Sequence, residues 1–430
     1  MMAQGLVDAW FLGKVGDRAL AAFSFGYPIL MIITSVAIGL SAGTSSVVAR
    51  AVGSNDLRRV RRLTTDSLIL SFLVTAILAG IGIWTIEPLF LALGTPPDMI
   101  PMIKSFMTIL YTGIPFFVVG MVGTSSMRAT GDTVLPGKLM IAAAVFNMVL
   151  DPIFIFGLGP IPGMGLDGAA IAALIARGAM FVGVLYFLVC KLKMVSFNSP
   201  GLQELKESWG DILHVGLPAA GTNAIIPVAM AFITRMIADY GPEAVAGFGV
   251  ASRIESMVLV IYYALSSVIG PFSGQNLAVG KENRIQLALR HCAIFCLASG
   301  LVGAALLAAG SGFLPGLFSS NPEVLRVAQL FLWIAPIGYG AYGIVMVVNA
   351  AFNGLGRPMP GVYISVGRMV LLYLPIAYFV ERLYGIAGIF IAYTLANLFS
   401  GLVGYVWAWR ATYNLCAVAP VHTDSTAGHK

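Results

Sequence analysis

Runs of about twenty apolar residues recur along this chain, long enough at about 1.5 Å per residue to cross a hydrocarbon layer about 30 Å thick. Only 10% of the 430 residues are charged and 58% are apolar. A water-soluble domain carries roughly 25% charged residues, so a water-facing surface of this size cannot be built here. The runs have helical length, unlike the roughly ten-residue alternating segments of an outer-membrane barrel. The class predicted is an all-α polytopic membrane protein.

Gly/Pro turns and charge clusters divide the runs into twelve transmembrane spans. They fall near 1–12, 20–48, 63–86, 103–126, 139–157, 168–190, 212–238, 243–270, 292–312, 327–351, 362–380 and 386–409. The first, Met1 to Leu12, reaches only about 18 Å and is too short to cross. That first helix is expected to be incomplete, its beginning lying upstream of Met1. Lys191 to Asp211 is the longest polar stretch between spans and reads as a cytoplasmic linker. It separates an N-terminal six-helix lobe, residues 1–190, from a C-terminal one, residues 212–410, and residues 411–430 read as a disordered tail.

Alternate loops differ in charge. One set, containing Arg50–Arg62, Arg128, Lys138, Lys191–Lys206, Lys281–Arg290, Arg357 and Arg410, holds fifteen lysines and arginines; the other holds five. The richer set is expected in the cytoplasm, with both termini inside. The net charge of +6 comes from these loops and does not point to nucleic acid.

The two halves share short signatures in the same order. Ala19–Phe23 matches Ala244–Phe248, Gly53 matches Gly280, Gly131 matches Gly356, and Gly165–Gly168 matches Gly385–Gly388, at offsets of 225, 227, 225 and 220. Ordered matches at near-constant offset argue for duplication. Two lobes of equal topology would be related by an axis along the membrane normal, with a cavity between them.

Inside the apolar stretch 142–157 stand Asn147 and Asp151, one helical turn apart on one face. Pro152 follows and frees the carbonyl of Met148. A carboxylate at this depth is a functional candidate. Asp8 lies at similar depth in the same half, and two acids in one low-dielectric site favour proton sharing or a bound cation. Further polar residues within spans are Gln4, Arg177, Arg253 and Glu255, candidates for a substrate cavity or for coupling. Arg368 is expected to snorkel to the cytoplasmic side. Cys190, Cys292, Cys296 and Cys416 read as small core residues. No phosphate loop, metal-ligand set or acidic cluster suits an ATPase or another enzyme, and no cofactor is expected.

Several of these motifs together resemble the multidrug and toxic compound extrusion (MATE) family over essentially the whole chain. The carriers are Val7-Asp8 with Gly13, Gly16 and Ala19–Ala22; Arg128–Asp132 with Pro136; Asn147 with Asp151-Pro152; Gly274–Asn276 with Gly280; and Gly354, Gly356 and Arg357. The resemblance implies two six-helix lobes and cation-coupled export of varied, often cationic organic compounds such as drugs and toxins. It also implies that Asp8, Asn147 and Asp151 form an ion or proton site, as in the DinF-like branch. Ala173 stands where relatives often place a threonine near the ion in helix 6.

The reading is a monomeric antiporter of a prokaryotic inner membrane, exchanging small organic substrates for H⁺ or Na⁺, with possible Na⁺ at Asp8, Asn147 and Asp151. The alternative is a lipid-linked oligosaccharide flippase of similar architecture.

Overall fold

The computed structural model describes residues 11–92, 95–158, 161–198 and 201–418. The described residues are almost entirely helical. In hydrocarbon no water is present to satisfy N–H and C=O groups, so apolar runs of this length close their hydrogen bonds within one helix.

Residues 11–15 are helical (α1). Then come α2 (Asp17–Gly53), α3 (Leu57–Ala92), α4 (Ile100–Ala129), α5 (Val134–Phe156) and α6 (Gly165–Tyr186). A two-stranded antiparallel hairpin, β1 (Gly157–Leu158) and β2 (Ile161–Pro162), joins α5 to α6, with Gly157 opposite Pro162. The second half begins with α7 (Leu202–Ala238), α8 (Pro242–Ala278) and α9 (Glu282–Gly310). A 3₁₀ turn links α10 (Pro322–Ile334) to α11 (Tyr339–Gly354) within one span. A π-helical segment, Gly367–Tyr373, likewise links α12 (Met359–Val366) to α13 (Leu374–Tyr384), and α14 (Ile386–Val418) closes the half. Eleven helical stretches among the described residues are long and apolar enough to cross a membrane. The predicted first span, with Gln4 and Asp8, lies mostly outside the described residues.

Two predicted boundaries move. The stretch 191–211, expected to be a linker, is helical from Leu202 onward. It is also docked on α3. The Thr65 hydroxyl accepts from the Ser196 N–H at 2.8 Å, and Trp209 Nε1 donates to the Asp66 carbonyl at 3.2 Å. Arg62 pairs with buried Asp66 and donates to the Asn198 carbonyl. At the other end α14 continues past residue 411 to Val418, so the polar tail begins later than expected.

The buried apolar residues form one cluster drawn from residues 12–212 and another drawn from 229–408. Large apolar side chains also point outward along the spans, such as Ile32, Trp84, Leu301 and Leu371. In water such a surface would aggregate; here it is the lipid-facing wall.

The duplication is visible in the backbone. Positive φ angles occur at Gly16 and Gly241, Asn55 and Gly280, Gly131 and Gly356, and Gly165 and Gly385. Each pair ends corresponding turns of the two halves. Asn55, not Gly53, is therefore the conformational counterpart of Gly280. Asn is among the few non-glycine residues that adopt this conformation readily.

The halves meet where α2 lies along α7 and α8. Gly39 and Gly43 give α2 a small-xxx-small face of the kind that lets helix backbones approach closely. A Cβ on Gly39 would stand 2.4 Å from the Gly216 carbonyl oxygen, and one on Gly43 would stand 2.2 Å from that of Ile212. Gly39→Ala is thus expected to part the helices and destabilise the protein by about 1–3 kcal/mol, read as a lower thermal-unfolding midpoint in detergent. Gly80→Ala, whose methyl meets nothing within 4 Å, is expected to match or exceed wild type. Equal midpoints for the two variants would show that the interface yields without cost.

Candidate functional site

Between the halves lies a cavity of about 310 Å³, at the small end of the range for organic-ligand sites. Its wall pairs equivalent positions of the repeat: Ile38 with Tyr263, Ser41 with Ser266, Met121 with Met346, Ser125 with Ala350, and Arg128 with Asn353. Each pair is 225 residues apart, so the axis relating the halves passes through the cavity. The symmetry is broken elsewhere. Among the described residues, α12 contributes Gly361, Val362 and Ser365 to the wall, while its counterpart α5 contributes nothing.

The polar groups of the wall are Arg128, Arg368, Thr222, Asn223, Asn349, Asn353, Tyr263, Tyr342 and several serines. No Asp or Glu occurs among the described lining residues. Arg368 departs from expectation. It does not snorkel to an end but stays in the interior, 4% exposed. Its Nη1 donates to Asn397 Oδ1 at 2.9 Å, and its guanidinium lies 4.4 Å from the centre of the Tyr342 ring. Arg368 sits in the π-helical segment, and its partners lie on α14 (Asn397) and α11 (Tyr342), which hold it away from the lipid.

Behind the wall, Glu255 on α8 is buried and accepts a hydrogen bond from the Tyr393 hydroxyl at 2.8 Å. Glu255 is not a lining residue, and Arg253, two positions earlier, is exposed on the helix surface. In the first half the Arg177 guanidinium lies 5.1 Å from the centre of the Phe117 ring, against α4 rather than on the cavity.

The predicted polar pair forms. Asn147 Nδ2 donates to Asp151 Oδ1 at 3.2 Å, and both residues are 1% exposed. They are two of only four buried residues on α5, the others being Pro136 and Ile155. Pro152 is accommodated without ending the helix, which runs on to Phe156. Ala173 is buried on α6, the helix packed against α5. Asp8 and Gln4 lie outside the described residues, so the predicted Asp8–Asp151 pairing is not placed. Carrying Asn147 and Asp151 forward by 225 residues lands on Leu372 and Ile376. The scaffold is duplicated, but the buried Asn–Asp pair is not.

One end of the cavity is sealed by bonds between the halves. At the arginine-rich end, Gln275 Nε2 donates to the Ala129 carbonyl at 2.7 Å, and the Ser46 hydroxyl donates to the Asn353 carbonyl. Arg50 Nη1 reaches Ser46 Oγ at 2.7 Å and the Gly354 carbonyl at 3.4 Å. A Cβ on Gly53 would stand 2.4 Å from the Gln275 carbonyl oxygen, so backbone meets backbone here.

The MatE family model matches the chain twice, at residues 1–153 and 218–379. The chain is 37% identical to the FAD transporter of Shewanella oneidensis, covering 94% of this chain and 90% of that protein. It is 26% identical to the probable multidrug resistance protein YpnP of Bacillus subtilis, covering 94% and 91%. The crystal structure of the Vibrio cholerae MATE transporter VcmN in the bent form superposes with a TM-score of 0.90 at 30% identity, covering 96% of this chain and 94% of that one.

Tyr393→Phe removes one hydroxyl donor to Glu255 and is expected to destabilise the second half by about 1–3 kcal/mol. A thermal-unfolding midpoint unchanged from wild type would show that other groups satisfy this carboxyl.

Proposed function

The chain belongs to the MatE family, and on that premise we propose that it is a secondary active antiporter, exporting organic compounds in exchange for H⁺ or Na⁺. The observation carrying this reading is the central cavity, lined by equivalent positions of both halves and sealed at one end only by contacts between them. Counting lysines and arginines places the sealed end in the cytoplasm of a prokaryotic cell. The conformation is then the one closed to the inside, with both termini cytoplasmic. Rocking the N-terminal lobe, residues 1–190, against the C-terminal lobe, residues 212–410, would break this seal and expose the cavity to the other side. One polypeptide supplies both lobes, so a monomer suffices.

Coupling is assigned to the first half. Asp151 and Asn147 make a buried carboxylate–amide pair, with Asp8 as its proposed second acid. A cation or proton arriving there neutralises buried charge. An ion that binds one lobe arrangement more tightly than the other shifts the equilibrium between them by that difference in affinity. Arg177, Arg253, Glu255 and Gln4 remain candidates for contributing to that shift.

The names of the relatives point to organic solutes, and the FAD transporter makes FAD the first compound to assay. Cationic drugs are the second group. A lipid-linked oligosaccharide flippase is the alternative reading, favoured by the two arginines on the cavity wall, Arg128 and Arg368. Flux of a soluble solute set against flipping of a labelled prenyl-diphosphate sugar separates the two.

In everted vesicles energised with a proton or a sodium gradient, Asp151→Asn is expected to abolish ion-driven solute movement while its amount in the membrane stays at wild-type level. Coupled transport at the wild-type rate in that variant would reject the assignment of the site.

A further inference from the structure

We propose that the cavity between the halves selects organic anions: compounds carrying a phosphate, sulfonate or carboxylate next to an aromatic ring. Arg128 and Arg368 bind the charge, and Tyr263 and Tyr342 face the ring. This rests on the reading of the cavity as the substrate site. The sign is opposite to that of the cationic compounds the family resemblance implies.

Three observations carry it. The first is charge balance. Two arginines line one cavity and no carboxylate does, among the described residues. Among the described lining residues a cation meets like charges and no carboxylate, whereas an anion meets two charge-assisted hydrogen-bond donors.

The second is unmet bonding capacity. Arg368 is 4% exposed, its Nε has no acceptor, and the Nδ2 of its partner Asn397 has no acceptor either. Arg128 makes no side-chain hydrogen bond or ion pair with any described residue, and it lines the cavity. Glu255, the buried acid of the same half, makes no ion pair with Arg368 among the described residues. Glu255 lies near enough for its charge to be felt at Arg368 but gives it no direct partner, so the free guanidinium N–H is left for a bound anion.

The third is shape chemistry. Tyr342 already stacks under the Arg368 guanidinium at 4.4 Å. Cation and ring therefore share one part of the wall, where a planar anion finds a charge and an aromatic face together.

The test uses the purified full-length chain in detergent, titrated with fluorescein and with rhodamine 6G and followed by fluorescence anisotropy. The two dyes share a xanthene ring and differ in the sign of their charge. Fluorescein is expected to bind about tenfold tighter or more, as one charge-assisted hydrogen bond accounts for. Arg128→Gln and Arg368→Gln are each expected to weaken fluorescein about tenfold and to leave rhodamine 6G unchanged or tighter. Arg368 also holds Asn397 and Tyr342, so a third variant guards against misfolding. Ser266→Asp places a carboxylate on the cavity wall and is expected to reverse the preference.

Rhodamine 6G binding as tightly as fluorescein would overturn the proposal, as would a fluorescein affinity unchanged in all three variants. Competition then identifies the source of the anion. Displacement by ADP assigns a soluble aromatic phosphate, whereas displacement by the ring-free geranylgeranyl diphosphate alone assigns a lipid diphosphate and overturns the proposal. Displacement by neither overturns the proposal. The titration uses no ion gradient. It can therefore succeed where Asp151→Asn leaves coupling intact, and fail where coupling is lost.

Discussion

A hydrocarbon solvent offers no partner to a polar group, and most of this structure follows from that. Backbone amides and carbonyls are closed within helices, which is why the described chain contains only two strands, each of two residues. The polar side chains inside the spans obey the same rule locally. Ser67 and Thr44 donate to carbonyls one turn back, at 2.7 and 2.8 Å. Asp151 takes the amide of Asn147, and Glu255 takes the hydroxyl of Tyr393. Several buried polar atoms break the rule, and two of them, Arg368 Nε and Asn349 Oδ1, belong to residues of the cavity wall. An unsatisfied polar atom in such a place calls for an explanation, and the proposed anion site offers one.

Duplication supplies the frame and divergence supplies the chemistry. The two halves repeat the same turns at the same backbone angles, from Gly16 and Gly241 to Gly165 and Gly385. Gly168 and Gly388 each back onto the carbonyl of the preceding helical segment, Phe154 in one case and Val380 in the other. A Cβ would close both gaps, so the packing constraint has been kept in both copies. The polar residues have not. The first half places its acid on α5, away from the cavity, and the second places an arginine on α12's continuation, beside it. Equal folds thus carry unequal charges: the buried Asn147–Asp151 pair has no counterpart in the second half, and Arg368 stands there instead.

The seam between the halves has to be tight yet separable. Glycines bring α2 against α7 with backbone contact, which gains dispersion energy and needs no interlocking side chains. At the arginine-rich end the seal consists of a few side chain–carbonyl bonds from Gln275, Ser46 and Arg50. Each such bond contributes about 1 kcal/mol net. A handful can be exchanged during a rocking motion, whereas a large interlocked core could not.

The sequence by itself determined the solvent, the spans, the turns and the duplication. Those depend on run length, glycine and charge, which are local properties of the chain. It also determined the Asn147–Asp151 pair, because four residues on a helix are always neighbours. Some boundaries were less legible: the helix from Leu202 hides in a polar stretch whose Trp209 and Arg62 contacts dock it on α3. The tertiary structure alone decided which residues face the cavity. Arg128 reads as the edge of a loop and Arg368 as a snorkelling arginine until helices about 225 residues apart are laid together. Asn349 and Asn353 carry no signal at all in a single chain. A cavity wall is made of residues distant in sequence, and the direction of a side chain on a helix is set by the neighbours it packs against.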